Sequence, residues 1–158
     1  MTSRHESPID VRLLRYVAAI LAIVVAGVHV FHPQLGFPRL VLHLQVGTLF
    51  DPRPLLFTLS GFAIVAGILL AYNDVARRPI YLAGAVLMLG YLLGYASWHT
   101  VLDHGGFWPY IEPHGHHDMG VVETLVDHLL ADPVELLSKT AEFVLLVVLL
   151  ALYRWDVG

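Results

Sequence analysis

Apolar residues dominate four segments of the chain, each about as long as the roughly 20 residues that a helix needs to cross a bilayer. These segments cover residues 11–31, 52–72, 79–99 and 133–153. The third contains no acidic or basic residue, whereas the fourth contains Glu135, Lys139 and Glu142. The pattern predicts an all-α integral membrane protein, a four-transmembrane-helix bundle that forms a single membrane domain over residues 1–158.

A proline stands near the start of every segment. Proline suits the first turn of a helix because the amide hydrogen that it lacks has no intrahelical partner there. These prolines are Pro8, Pro52, Pro79 and Pro133. Asp51 and Asp132 directly precede two of them and can cap the free amides of the first turn. The helix starts therefore support the boundaries that hydropathy predicts.

Composition agrees with a membrane location and excludes several classes of protein. The chain is 57% hydrophobic and 14% charged, against about 45–50% and about 25% in soluble domains. It contains no cysteine, which excludes disulfide scaffolds and cysteine-ligated metal sites. A net charge of −4 gives no sign of a nucleic-acid partner. The sequence carries no phosphate-binding loop, GxSxG elbow or HExxH zinc helix.

Basic residues indicate the orientation, because they collect on the cytoplasmic side of membrane proteins. Six arginines flank one set of segment ends: Arg4, Arg12, Arg15, Arg77, Arg78 and Arg154. The opposite ends and their connections carry only Arg39 and Arg53. We therefore expect cytoplasmic N and C termini in the plasma membrane. The first segment also resembles a secretory signal, but no small-x-small cleavage motif follows it, so we expect an uncleaved helix.

Two longer connections then lie on the outer side, residues 32–51 and the His-rich stretch 100–131. Each contains apolar residues at helical spacing, beginning near Phe37 in the first and near Val121 in the second. In the second, Glu123 and Asp127 fall on the opposite, polar face. This pattern predicts a short interfacial helix in each outer connection.

Histidine is unusually abundant, with ten residues in the chain. All but His5 fall on the predicted outer side, together with several carboxylates. Neutral imidazole is a common ligand of zinc, copper and iron, and carboxylates complete such sites. The predicted metal ligands are His99, Asp103, His104, His114, His116, His117, Asp118 and His128. Without cysteine, Zn(II), Cu(II) or iron is favoured over Cu(I).

Other interpretations of the histidines stay open. His29 and His99 lie at similar depth on parallel helices and are candidate ligands of haem b. A role in pH sensing through imidazole titration is a further alternative. Flexible His-rich tracts also occur as solvated loops without a physiological ligand. The HxHH pattern at His114 differs from the HxxHH boxes of membrane di-iron hydroxylases and desaturases.

One helix face is predicted to point inward, and a second is predicted to point either inward or toward a partner protein. His29 continues a stripe of small residues that ends at Ala26, and such stripes allow helices to approach closely. Tyr91 and Tyr95 share a second face in the third segment, and a buried tyrosine needs a hydrogen-bond partner. Gly90 and Gly94 form a GxxxG pattern on that same segment, which is typical of a helix interface.

The three ionisable residues of the fourth segment share one face, because they follow at spacings of four and three. At 1.5 Å per residue, Glu142 falls near the bilayer midplane, where a charge must be paired, neutralised or hydrated. Glu135, Lys139 and Glu142 then form either a proton or cation relay, or an ion-paired seam that joins this helix to the bundle or to a partner subunit.

We expect a small membrane protein whose His-rich outer face binds a transition metal or haem, for metal handling or electron transfer. The alternative is a non-catalytic accessory subunit of a larger membrane complex, or a homo-oligomer, held by the small-residue faces and the charged seam. An enzyme that uses a metal-bound water is a third hypothesis, and the sequence assigns no catalytic residue to it.

Overall fold

The computed structural model describes residues 10–47, 51–102 and 120–156, and these ranges contain six helices. Four are long: α1 (Val11–Phe31), α3 (Arg53–Tyr72), α4 (Arg77–His99) and α6 (Pro133–Trp155). Two are short: α2 (Phe37–Val46) and α5 (Val121–Ala131). Each long helix has the length and the hydropathy to cross a membrane. Over the described ranges, the prediction of an all-helical fold with four helices long and apolar enough to span a membrane is confirmed.

Aspartate caps fix the starts of two long helices. The Asp10 carboxylate accepts hydrogen bonds from the amides of Arg12 and Leu13 at 2.9 and 3.2 Å. Asp132 caps α6 in the same way, with the Val134 amide at 2.8 Å. α4 begins at Arg77, two residues before the predicted start, because a proline at the third position still lies where amides have no helical partner.

The long helices run alternately up and down, and α6 packs against both α1 and α4. Val25, Met88 and Leu152 are each 1% exposed or less in the core between them. The small-residue stripe of α1 faces inward, with Ala26 only 4% exposed. α3 approaches this stripe at Gly61, where a Cβ atom would lie 2.4 Å from the Val30 side chain. Small residues therefore bring α1 and α3 into close contact.

The bundle has two ends of different chemistry. At the histidine end, α1 and α4 finish and α3 and α6 begin; at the arginine end, α1 and α4 begin and α3 and α6 finish. The Asp156 cluster, made of Arg15, Tyr81 and Asp156, joins three helices at the arginine end. Arg15 Nε and Tyr81 Oη each donate to Asp156 Oδ2 at 2.7 Å, and Arg15 Nη2 donates to Oδ1.

Asp156 is only 3% exposed, yet it stays ionised in this setting. The hydrogen bonds from Arg15 hold the pKa of the Asp156 carboxyl below its usual value, although burial acts in the opposite direction. Both carboxylate oxygens have donors, and the arginine charge neutralises the carboxylate. The Asp156 cluster therefore fixes the ends of α1, α4 and α6 relative to one another.

Candidate functional site

A second group of polar side chains lies deeper in the bundle, nearer the histidine end. This Glu142 cluster comprises His29, Tyr91, Ser138, Lys139 and Glu142. The Glu142 side chain is 0% exposed, and its Oε1 atom accepts hydrogen bonds from Ser138 Oγ at 2.9 Å and from Lys139 Nζ at 2.8 Å. Lys139 Nζ also donates to Oε2 at 2.8 Å. The pairing with lysine offsets part of the cost of placing a carboxylate inside a membrane bundle.

His29 approaches the same carboxylate from α1. Its ring is 1% exposed, with Nδ1 2.8 Å from the Val25 carbonyl oxygen and Nε2 3.4 Å from Glu142 Oε1. The ring stacks on Tyr91 with centroids 4.1 Å apart and lies 4.7 Å from the Phe57 ring. The expectation that His29 points into the bundle is confirmed.

Two tyrosines of α4 complete the surroundings of Lys139. Its ammonium nitrogen lies 5.9 Å from the centre of the Tyr91 ring and 5.4 Å from that of Tyr95, within the range of cation–π attraction. Tyr91 donates its hydroxyl hydrogen to Ser60 on α3. The inward-facing tyrosines thus link α3, α4 and α6 around one charged pair.

A third group lies at the histidine end itself, and we call it the histidine-end cluster: His99 of α4, His128 of α5 and Glu135 of α6. His99 Nε2 lies 3.6 Å from Glu135 Oε1, and the His99 and His128 rings are 4.5 Å apart. His128 Nδ1 is 2.9 Å from the Thr124 carbonyl oxygen. The Tyr95 ring lies 4.5 Å from His99, between this cluster and Lys139.

Only part of the predicted metal site falls within the described residues. His99 and His128 come together, whereas the other predicted ligands lie outside the described ranges: Asp103, His104, His114, His116, His117 and Asp118. Within residues 10–47, 51–102 and 120–156, no three His, Asp or Glu side chains are arranged to hold a metal ion. A site at this end would therefore need ligands from residues 103–119.

The predicted haem pair does not fit the observed surroundings of His29. The Val25 carbonyl engages Nδ1, and Nε2 faces Glu142 rather than His99. Rings of Tyr91 and Phe57 pack against the imidazole. Ligation of haem iron through Nε2 would separate His29 from Glu142 and displace both rings.

The ionisable stripe of α6 faces the interior of its own bundle. Lys139 is 13% exposed and Glu135 28% exposed, while Glu142 is fully buried. Besides the hydrogen bonds within α6, these side chains contact His29 of α1 and His99, Tyr91 and Tyr95 of α4. The spacing of these three residues places them on one face, but nothing in the sequence predicts that His29 meets Glu142. The position of Arg15 indicates orientation only, and its pairing with Asp156 appears first in the structure.

A further ion pair lies at the start of α3. Arg53 Nη2 donates to Asp51 Oδ2 at 2.8 Å, and its guanidinium lies 4.0 Å over the Trp98 ring. Burial alone would raise the pKa of Asp51, but the hydrogen bonds from Arg53 outweigh it and hold that pKa below its usual value. The two side chains of this pair neutralise each other, and the contact of Arg53 with Trp98 holds the start of α3 to the end of α4.

Comparison of the chain with protein-family models, with curated proteins and with solved structures found no match. No relative supplies a function for these clusters, so a functional conclusion must come from their chemistry and their positions in the bundle.

Proposed function

We propose that this protein binds a transition-metal ion at its histidine end and serves in metal handling. The observation that supports the proposal is the meeting of His99, His128 and Glu135 from three separate helices. Two imidazoles and one carboxylate are a common donor set for zinc, but these three side chains are not by themselves arranged to hold the ion, so the proposed site also needs ligands from residues 103–119. α4 and α5 are joined by the stretch that contains residues 103–119, in which six further predicted ligands occur.

The ligand set favours Zn(II), Cu(II) or iron, because imidazole and carboxylate suit these ions and no cysteine is present. Metal handling is preferred to electron transfer because the surroundings of His29 do not suit haem. The distribution of arginines supports placing the histidine end on the outer side of the plasma membrane, with α2 and α5 at the interface. Metal would then reach the protein from outside the cell.

The test is metal analysis of protein purified in mild detergent with an affinity tag that contains no histidine. We expect about one equivalent of metal per chain in elemental analysis and saturable Zn²⁺ binding in calorimetry. Replacing His99 and His128 together by alanine should lower the affinity for Zn²⁺ at least tenfold. His43→Ala on α2 is the matched control, because it also removes one outer-side imidazole, and it should leave the affinity unchanged.

Two results would contradict the proposal. The first is an absence of stoichiometric metal together with Zn²⁺ binding too weak to saturate. The second is a loss of Zn²⁺ binding when only His114, His116 and His117 are replaced, with no loss when His99 and His128 are replaced. That pattern would indicate adventitious chelation by an exposed tract rather than a site built on the bundle.

A second candidate function, an accessory subunit or homo-oligomer, is favoured by one observation on α4. Gly90 and Gly94 face away from the described bundle, and a Cβ atom added at either would meet nothing within 4 Å among the described residues. Replacing both by leucine should abolish chemical cross-linking to a partner subunit or to a second copy of the chain. Gly27→Leu, at an open position on α1, should leave that cross-linking unchanged. A wild-type chain that stays monomeric and alone in mild detergent would contradict this function.

A further inference from the structure

The contact between His29 and Glu142 constrains where hydrogen atoms lie. A carbonyl oxygen only accepts hydrogen bonds, so the 2.8 Å contact with Val25 requires that Nδ1 of His29 carries a hydrogen. The remaining nitrogen, Nε2, faces Glu142 Oε1 at 3.4 Å. Without an added proton, a nitrogen lone pair points at a carboxylate oxygen. The separation is longer than the 2.7–3.2 Å typical of an N–H···O hydrogen bond, as expected for two acceptors.

The charges of the cluster balance in this state. Lys139 carries one positive charge, Glu142 one negative charge, and His29 is neutral, so the group as a whole is neutral. One additional proton would be shared by Nε2 and Oε1, because each atom is an acceptor aimed at the other. We propose that the gap between His29 and Glu142 is a proton-binding site, filled from water at the histidine end of the bundle.

Proton binding is a simple acid–base step. A hydronium ion at the histidine end gives up one O–H bond, and an N–H bond forms at Nε2 and donates to Glu142 Oε1. The group changes from neutral to one positive charge. Nothing is oxidised or reduced, and Nδ1 keeps its hydrogen throughout.

The aromatic rings around the site are placed to accept this charge. Tyr91 stacks on the imidazole with an interplanar angle of 17°, and the face of an aromatic ring attracts a cation. The Tyr91 and Tyr95 rings also lie near the Lys139 ammonium. Tyr91 therefore faces both of the positive groups that the protonated cluster would contain, whereas Tyr95 faces only the Lys139 ammonium.

Access to the site differs between the two ends of the bundle. Toward the histidine end, Lys139 is 13% exposed and the polar groups continue through Tyr95 to His99 and Glu135. Toward the arginine end, the core consists of apolar side chains such as Val25, Leu145 and Leu152, each 2% exposed or less. Protons would thus enter from one end only, and the cluster would bind protons without conducting them across the membrane.

The groups that face the site come from four helices. On α6 they are Ser138, Lys139 and, farther out, Glu135; on α4 Tyr91, on α3 Phe57, and at the end of α1 His32. Lys139 places a positive charge beside the site and Glu142 a negative charge. The metal function proposed above is not required, so the experiment uses metal-free protein.

The test is ¹⁵N NMR of histidine-labelled protein in lipid nanodiscs after chelation of metals, with His29→Gln to assign the His29 signals. On acidification we expect the Nε2 signal to move from the unprotonated to the protonated range, while Nδ1 stays protonated. Glu142→Gln should shift the midpoint of this change to at least tenfold higher proton concentration. Glu123→Gln, which removes an exposed carboxylate of α5, should leave it unchanged.

The wild-type measurement decides the proposal even where a variant does not fold. An Nε2 signal that does not change with pH would overturn it, as would a midpoint that is the same in Glu142→Gln as in the wild type. Sealed vesicles with uniformly oriented protein test the direction of entry. Acidification on the histidine-end side alone should change the Nε2 signal, and a response to the arginine-end side alone would contradict entry from the histidine end.

Discussion

Two carboxylates on or next to α6 are buried, and they differ in their partners: Glu142 lies within the helix, and Asp156 is its C-cap. Asp156, at 3% exposure, accepts hydrogen bonds from Arg15 and Tyr81. Glu142, at 0% exposure, has Lys139, Ser138 and the Nε2 atom of His29 around it. Arginine stays protonated in proteins, whereas imidazole gains or loses a proton near neutrality.

This difference separates a structural contact from a candidate site. In the Asp156 cluster each oxygen has a donor whose proton is fixed, and the planar guanidinium matches the carboxylate in two hydrogen bonds. In the Glu142 cluster, His29 Nε2 faces the carboxylate and can either accept or donate a hydrogen bond, depending on its protonation. His29 and Glu142 are also both buried, whereas Arg15 is 38% exposed. We infer that the first cluster holds helices together and that the second can change its protonation.

The largest expected effect follows loss of the Glu142 carboxylate. Glu142→Ala leaves the Lys139 ammonium without its partner in a nearly buried position, which should lower the free energy of unfolding by about 3–5 kcal/mol. Replacing Lys139 and Glu142 together by methionine should restore most of this loss, because a buried ion pair often exchanges for apolar residues without cost. Unfolding in mixed detergent micelles measures both variants.

Glu123→Ala is the control for removal of a glutamate, and it should change the free energy of unfolding by about 0.5 kcal/mol or less because the residue is exposed. A double methionine variant as unstable as Glu142→Ala would show that the Glu142 cluster is needed for folding. The contrast between the two clusters would then disappear.

The second effect concerns the Asp156 cluster. Asp156→Asn should lower the free energy of unfolding by about 1–3 kcal/mol, a smaller loss because Arg15 is 38% exposed and water can solvate it. A double-mutant cycle with Arg15→Gln should give a coupling energy of about 0.5–3 kcal/mol. Additive effects of the two substitutions would argue against a structural role for this pair.

The pH dependence of stability tests the same cluster. The folded pKa of Asp156 lies below its usual value because of Arg15, so its contribution is complete above about pH 3.9, the value for unfolded aspartate. The contribution is lost as the pH falls through the folded pKa. Below about pH 4 the wild type should therefore lose stability relative to Asp156→Asn. A constant difference between the two proteins across this range would contradict the assignment.

Sequence alone predicted the parts of the fold that depend on local patterns. Hydropathy and proline positions located the four long helices, and the spacing of His29 from Ala26 predicted its inward direction. The spacing of Glu135, Lys139 and Glu142 placed them on one face. In each case the residues concerned lie on a single helix, whose geometry is known in advance.

Such local patterns do not predict which side chains of different helices contact one another. His29 meets Glu142 because of the stagger of α1 against α6, and side-chain packing sets that stagger. Arg15 and Asp156 are separated by 141 residues, and nothing in either local sequence links them. The direction in which His29 Nε2 faces was beyond the sequence for the same reason, since similar depth of His29 and His99 on two helices does not show which side chain faces which.

The smallest expected effects come from removing one hydroxyl in each cluster. Tyr81→Phe deletes the 2.7 Å hydrogen bond to Asp156 and should lower the free energy of unfolding by about 1 kcal/mol, since Arg15 still satisfies the carboxylate. Tyr91→Phe deletes the bond to Ser60 and should cost about 0.6 kcal/mol, the average for polar contacts between membrane helices.

Neither hydroxyl deletion should change the protonation of His29, whereas loss of the whole Tyr91 ring should change it. Tyr91→Phe keeps the ring that stacks on the imidazole, so the ¹⁵N midpoint of His29 should stay near that of the wild type, whereas Tyr91→Leu removes the aromatic face and should move it to higher proton concentration. Tyr81→Phe, at the opposite end of the bundle, should leave the midpoint unchanged. A midpoint that moves with Tyr81→Phe would mean that the clusters are coupled, and that the Asp156 cluster does more than hold helix ends.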